Sequence, residues 1–373
     1  MTPQPLPKVT GTRPTAWLNE GYANIWMPYT QMETAPLPQA AVATQGTRIT
    51  LADGSQLIDG VASWWSACHG YNHPHIQDAV IAQARQMPHV MLAGLANEPA
   101  FTLARRLVAL APSGLERVFF SESGSVSVEI AMKMAAQFWL NQGRPEKTKF
   151  ICFKGAYHGD TITAMSVGDP EDGIHGRFAG LVPDQPRIPL PRDPASLDAF
   201  ETFVAEQADG CAAIILEPLV QGAGGMIFHD TEVLRAVREA CDRHGLLLIL
   251  DEIMTGLGRL GTLFACQQAD VVPDIMTLSK SLTGGTLPLA ATIAGTKVFE
   301  GFLSPELDQA LMHGPTFTGN ALACAAANAS LDLFETEPRL EQVKAIEAQL
   351  GPALEPCRKI NGVVDVRVRG AIG

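Results

Sequence analysis

Three polar residues stand directly after apolar runs and could do chemistry. Asp251 follows Leu246-Leu247-Leu248-Ile249-Leu250, Glu217 follows Ala212-Ala213-Ile214-Ile215-Leu216, and Lys280 lies just past Asp274-Ile275-Met276-Thr277-Leu278-Ser279. In an open parallel sheet ligands sit outside the carboxyl ends of the strands, where such residues would fall. An acid behind five apolar residues is costly to bury without a partner, and a nearby lysine supplies a cation. A structural Asp–Lys pair or a helix cap would use the same residues.

Three further runs accompany them. Phe119-Phe120-Ser121-Glu122-Ser123-Gly124-Ser125-Val126 passes from a strand through a Ser/Gly turn into a helix, whose first N–H groups and dipole suit an anion. The alternative is a serine cap on a tight turn. Gly155-Ala156-Tyr157-His158-Gly159-Asp160 brings an aromatic ring and an imidazole to the same sheet edge, where Tyr157 could stack on a flat ligand. His313-Gly314-Pro315-Thr316-Phe317-Thr318-Gly319-Asn320 enters a helix of small residues and offers a second phosphate contact or simply a helix-entry loop. An anion site, a ring platform, a strand-end carboxylate and a strand-end lysine jointly describe pyridoxal 5′-phosphate (PLP). Its aldehyde needs a lysine amine, here Lys280, and its pyridine nitrogen an acid, here Asp251.

Alternating strands and helices would position these groups. Short apolar runs at Arg117–Phe120, Lys149–Phe153, Cys211–Leu216, Leu246–Leu250 and Asp274–Leu278 read as buried strands. Helical periodicity covers His75–Met87, Pro99–Leu110, Val126–Trp139, Thr231–His244, Ala321–Ser330 and Leu340–Leu350. The pattern predicts a mostly parallel α/β sheet with helices on both faces. Upstream, an irregular arm leads to a hairpin, Thr47–Leu51 and Gln56–Asp59 around Asp53-Gly54. Asp169–Asp198, rich in Pro, Asp and Gly, reads as a long loop, and Gly362–Val368 as β-like. His69, His73 and His75 lack a matching carboxylate or cysteine, so no metal is expected there. Of the adjacent Trp64 and Trp65, at most one should face a pocket on an extended chain.

The chain has 373 residues, 46% hydrophobic and 18% charged, which is globular composition and about two domains in length. With 27 Lys+Arg against 39 Asp+Glu the net charge is −12, so there is no basic footprint for nucleic acid. Seven scattered cysteines without a C-x-x-C pair fit a reducing cytoplasm. The polar, Pro-rich first residues do not read as a signal peptide, and no apolar run is long enough for a membrane span.

Asp251-Glu252-Ile253-Met254-Thr255-Gly256-Leu257-Gly258-Arg259 and Leu278-Ser279-Lys280-Ser281-Leu282-Thr283-Gly284-Gly285 resemble the signature of the class III aminotransferases, which are fold-type I PLP enzymes. The resemblance runs from about Tyr29 to the final residue. It implies a large PLP-binding domain over residues 76–334. A small α/β domain would be built from residues 1–75, which include the arm, and from 335–373, where the family continues beyond Gly373 and carries an arginine for the substrate carboxylate. The resemblance implies Lys280, Asp251 and Tyr157 as catalytic residues, with Gly124 and Ser125 on the phosphate and Tyr157 stacked over the cofactor ring. Pro315 and Thr316 would reach the phosphate across a homodimer interface, and Tyr29, Trp64 and Gly314 would line the substrate pocket. Met27-Pro28-Tyr29-Thr30, Ser63-Trp64-Trp65, His69–Pro74 and His313–Thr316 resemble a branch that aminates 8-amino-7-oxononanoate to 7,8-diaminononanoate in biotin synthesis, with S-adenosylmethionine as donor. In the ornithine and 4-aminobutyrate branches a glutamate stands where this chain has Ala223, which weighs against glutamate as donor. Lysine as donor, another class III ω-aminotransferase, and a catalytically incomplete PLP-binding fragment are the competing readings.

Overall fold

A computed structural model describes residues 15–171 and 173–373. The first fourteen residues of the N-terminal arm, and Asp172 in the loop expected at Asp169–Asp198, lie outside the described residues.

The N-terminal part forms a three-stranded antiparallel sheet of β1 (Ala41–Gln45), β2 (Arg48–Leu51) and β3 (Gln56–Ile58). The Asp53-Gly54 turn joins β2 to β3, with Thr50 opposite Gln56 and Arg48 opposite Ile58. Asp53 Oδ1 accepts the Ser55 N–H at 2.9 Å, an Asx turn that sets the register. β1 carries no apolar alternation strong enough to announce a strand.

The main sheet has β4 (Leu115–Ser121), β5 (Lys149–Phe153), β6 (Arg187–Ile188), β7 (Cys211–Leu216), β10 (Leu247–Asp251), β11 (Ile275–Leu278) and β12 (Ala290–Gly295), in the order β4-β12-β11-β10-β7-β5-β6. A two-residue pair, β8 (Val220–Gln221) and β9 (Ile227–Phe228), forms a separate ladder. The β6-β5-β7-β10-β11 pairs are parallel, and β12 runs against both β11 and β4. β4 therefore points the same way as β11, and the carboxyl ends of β4, β5, β7, β10 and β11 share one edge.

Burial on both faces accounts for the apolar runs. Along β10, Leu248 and Leu250 pack with Leu103, Phe200 and Val237, while Leu247 and Ile249 pack on the other face with Ile130 and Phe138. The first face is covered by helices Glu98–Leu110, Pro194–Gln207, Thr231–His244 and Ala321–Thr336, the second by Gly124–Asn141. No helix among the described residues is long and apolar enough to cross a membrane.

Two expectations are corrected. The stretch Asp169–Asp198 is not loop throughout, because helix Pro194–Gln207 begins inside it. Asp193 accepts the Ser196 N–H at 2.9 Å and Ser196 Oγ accepts the Asp193 N–H at 3.0 Å, a capping box ahead of Pro194 at the first helical position. Gly362–Val368 forms no strand among the described residues: Val364 is fully exposed, and the segment meets β9 through the Arg367 side chain, over the Phe228 ring and on the Gly225 carbonyl, instead of through a backbone ladder. The strand β12, made of small residues around Ile293, also went unread, because Ala-Ala-Thr-Ile-Ala-Gly has weak strand propensity.

Ile249 is fully buried at the centre of β10. Ile249→Ala is expected to destabilise the cofactor-free protein by about 2–5 kcal/mol, read from urea unfolding. A loss below about 1 kcal/mol would contradict the two-faced packing described.

Candidate active site

Five strand ends contribute to one cavity of about 150 Å³, lined among others by Trp65, Gly124, Ser125, Tyr157, Asp251 and Lys280. Asp251, the last residue of β10, is 4% exposed. Its Oδ2 lies 2.7 Å from Nδ1 of His158, and its Oδ1 accepts the Ile253 N–H at 3.0 Å and the Thr277 hydroxyl at 3.3 Å. Burial works against a charged His158 ring, but the hydrogen bond and charge of Asp251, with help from Glu217, outweigh it and raise its pKa. His158 Nε2 is buried without a hydrogen-bond partner among the described residues.

Glu217, directly after β7, accepts the Tyr157 N–H at 3.0 Å and the Gly222 N–H at 2.8 Å. Burial pushes its carboxyl up to about 7; His158 opposes this and Asp251 adds to it. Lys280 opens a short helical turn after β11 with a left-handed backbone (φ 44°). Its amine sits 4.8 Å from the centre of the Trp65 ring. Burial lowers the Lys280 pKa, only partly offset by the charges of Asp251 and Glu217. The amine is thus held nearer to its neutral, nucleophilic form than an exposed lysine.

At the β4 end, Ser123 caps the 18-residue helix Gly124–Asn141 by accepting the Val126 N–H at 3.3 Å. The first turn of that helix opens on the cavity through Gly124 and Ser125. A Cβ on Gly124 would stand 3.1 Å from the Ile253 side chain, so glycine lets the helix start approach the strand ends. Ser125 Oγ accepts the Asp160 N–H at 3.0 Å, which leaves its own proton to donate. Tyr157 stacks on His175 (5.6 Å, 22°), and its hydroxyl donates to Asp160 Oδ1 at 2.9 Å. Tyr29 donates to the other Asp160 oxygen at 2.6 Å. Burial works against charge on Asp160, but the hydrogen bonds of Tyr29, His175 and Tyr157 outweigh it and lower its pKa.

The sequence from residue 29 to 373 matches the family model described as Aminotransferase class-III. The chain belongs to the class-III aminotransferases. It is 46% identical over 360 residues to the adenosylmethionine-8-amino-7-oxononanoate aminotransferase of Mycobacterium leprae, covering 94% of this chain and 82% of that protein. The crystal structure of the adenosylmethionine-8-amino-7-oxononanoate aminotransferase from Methanocaldococcus jannaschii superposes with a TM-score of 0.90 at 35% identity, covering 95% of this chain and 82% of that one. An amine transaminase from an uncultivated Pseudomonas species, solved in PLP-bound form, superposes with a TM-score of 0.86 at 34% identity, covering 93% and 82%.

Within this class-III aminotransferase, Asp251, Lys280, Tyr157, Gly124 and Ser125 surround a single cavity. Tyr29 reaches its rim through Asp160, and Trp64 packs edge-on against Tyr29 at 6.3 Å, 60% exposed and outside the cavity. Trp65 lines the cavity instead. The reasoning from an extended chain does not apply here, because residues 62–65 are left-handed. Gly314, Pro315 and Thr316 line a second cavity of about 640 Å³ with Phe101, Phe119 and Phe120, apart from Lys280. Sequence reasoning assigned no role to His158 or Asp160, although both stand beside Tyr157 in the run Tyr157-His158-Gly159-Asp160. Their signal was position after a buried strand, and it went unused because neither has a motif of its own.

Glu217 also makes the protein's stability depend on pH. Its ordinary value is 4.5 and its folded value about 7, so the folded state holds the proton more tightly. The stability from this group is full below about pH 4.5 and is lost as pH rises through about 7. Glu217→Gln is expected to flatten the fall in urea stability of the cofactor-free protein between about pH 5 and pH 8. An unchanged slope would rule out Glu217 as its source.

Proposed function

We propose that the protein aminates 8-amino-7-oxononanoate to 7,8-diaminononanoate, with S-adenosylmethionine as amino donor and PLP held in the Lys280 cavity. The observation that carries this reading is the convergence of a buried amine, a buried carboxylate and a helix start on one cavity, in a chain 46% identical to a protein named for that reaction. Bound PLP would supply an aldehyde to carry the amino group and a protonated pyridine ring to withdraw electrons.

The donor set suits such a group. Lys280 would hold the aldehyde carbon, Asp251 the pyridine nitrogen, and Tyr157 would cover the ring. Gly124 and Ser125 would bind the phosphate through helix N–H groups and the free Ser125 proton. Pro315 and Thr316, with Gly314, would serve the partner's site in a homodimer, consistent with their separation from Lys280.

The chemistry of the chain's own groups follows. Asp251 would face the ring nitrogen, held in place by its 2.7 Å hydrogen bond with His158 in a site that both buried side chains close to water. Lys280, with its depressed pKa, would take a proton from the substrate carbon and deliver it two atoms away, on the far side of the transferred nitrogen. Trp65 shields the amine from water. Ala223 lines the cavity where related branches carry a glutamate, so no gate for a second substrate carboxylate is formed there. Tyr29 and Trp64 would line the mouth above Asp160 and receive the long substrate.

Mixing the PLP-loaded protein with S-adenosylmethionine alone is expected to convert its absorption from the pyridoxal to the pyridoxamine form. No conversion, with ready conversion by 4-aminobutyrate or ornithine, would replace this reading with another class III ω-aminotransferase. Lys280→Ala is expected to lower turnover by about 10²–10⁴-fold or more while the protein still folds, measured by single-turnover kinetics and circular dichroism.

A further inference from the structure

Residues 62–65 are an unusual piece of backbone. Ala62, Ser63, Trp64 and Trp65 have φ of 47°, 46°, 57° and 65°, four consecutive non-glycine residues in the left-handed region. Each such residue costs roughly 1–2 kcal/mol relative to its right-handed form, so the turn must be held from outside. Backbone bonds from Trp65 N–H to Val61 O and from Ser66 N–H to Ala62 O close it, and Asp59 is the side chain that caps its start. Its Oδ1 accepts the Val61 N–H at 3.1 Å, and its Oδ2 accepts the Ser63 N–H at 2.7 Å. Tyr71 donates a short hydrogen bond to the same Oδ2 and meets the Ser63 hydroxyl. Both indoles depend on this turn. Trp65 covers Lys280 and Trp64 packs on Tyr29. At its far end the Trp65 carbonyl accepts from Arg259 at 2.8 Å and from the Ser281 hydroxyl at 3.1 Å.

We propose that Asp59 is a positioning residue for the substrate side of the site, which holds residues 62–65 left-handed and thereby keeps Trp65 over Lys280 and Trp64 against Tyr29. Asp59 acts through the backbone it caps, by its bonds to the Val61 and Ser63 N–H groups. This deepens the proposed function, on which the kinetic part of its test rests, while the spectroscopic part reads the turn whatever the substrate.

The test uses the full chain as wild type, Asp59→Ala, Trp65→Ala and the double variant, with near-ultraviolet circular dichroism of the cofactor-free protein and steady-state kinetics. Asp59→Ala is expected to lose the Trp65 contribution to the near-ultraviolet signal while the far-ultraviolet spectrum stays unchanged. It should lower kcat/KM about 10–100-fold, and the double variant should lose less than the sum of the two single losses, the Trp64 share being all that Asp59→Ala adds to Trp65→Ala. Ser63→Gly relieves the left-handed cost and is expected to restore part of the signal and the rate in the Asp59→Ala background. The proposal is overturned by a full near-ultraviolet signal in Asp59→Ala, by additive losses in the double variant, or by no effect of glycine. It is also overturned if Asp59→Ala and the milder Asp59→Asn both fail to fold while Trp65→Ala folds, since Asp59 would then serve folding alone. Lack of turnover by the wild type with S-adenosylmethionine would count against the substrate reading and leave the spectroscopic comparison intact.

Discussion

The contact between Asp251 and His158, 2.7 Å long and almost fully buried, is the interaction on which the site is built. An ionised carboxylate there has lost most of its water, and only directed hydrogen bonds can replace it. Asp251 finds them on three neighbouring segments: the loop after β5 through His158, the backbone beyond β10 through Ile253, and β11 through Thr277. One charge therefore ties adjacent strand ends together. Removing one of these partners would leave a buried carboxylate oxygen with fewer hydrogen bonds and no water to replace them, which costs more than losing an exposed hydrogen bond. Lys280 follows β11 by two residues, so the geometry that satisfies the carboxylate also sets where the amine stands.

This charge distribution constrains how an acidic protein holds an anion. Asp251 and Glu217 line the cavity and Asp160 bonds to Ser125 and Tyr157 behind its wall, so a phosphate would be tolerated only at a point where fixed dipoles outweigh them. Under the proposed function the Gly124 helix start would be that point, and two glycines let it close on the sheet. A Cβ at Gly124 would press on Ile253, and one at Gly159 (φ 124°) would overlap Ser125. The proposed cofactor site would then need no basic surface, in keeping with a net charge of −12.

What was legible in the sequence follows from which forces are local. Strands buried on both faces announce themselves as unbroken apolar runs, so β5, β7, β10 and β11 were readable to within a residue or two. The polar residues that end them, Asp251, Glu217 and Lys280, were readable for the same reason. Interactions between distant segments were not. Nothing local to Tyr157-His158 says that the imidazole meets a carboxylate 93 positions away. Nothing in Ser63-Trp64-Trp65 says that its backbone is left-handed, because that state is imposed by Asp59, Tyr71 and Arg259 against the preference of each residue. The helix at Pro194 lay in between: its Asp-Pro-x-Ser cap was a local signal, outweighed by the proline and glycine around it.

The two sides of the cavity are made of different materials. Asp251, Glu217 and Lys280 project from strand ends whose neighbours are fully buried, so their relative positions carry the rigidity of the sheet. The indoles and Tyr29 hang on short N-terminal segments, tied to the strand-end loops by hydrogen bonds and by the packing of Trp65 on the cluster of Leu219, Val220, Met254 and Leu260. Such a segment can be reshaped by a few substitutions without disturbing the sheet. Chemistry common to a whole family would then reside on the rigid side, and discrimination among substrates on the strained one. The Trp65 carbonyl, bonded to Arg259 and to Ser281 beside Lys280, is the joint where the two meet.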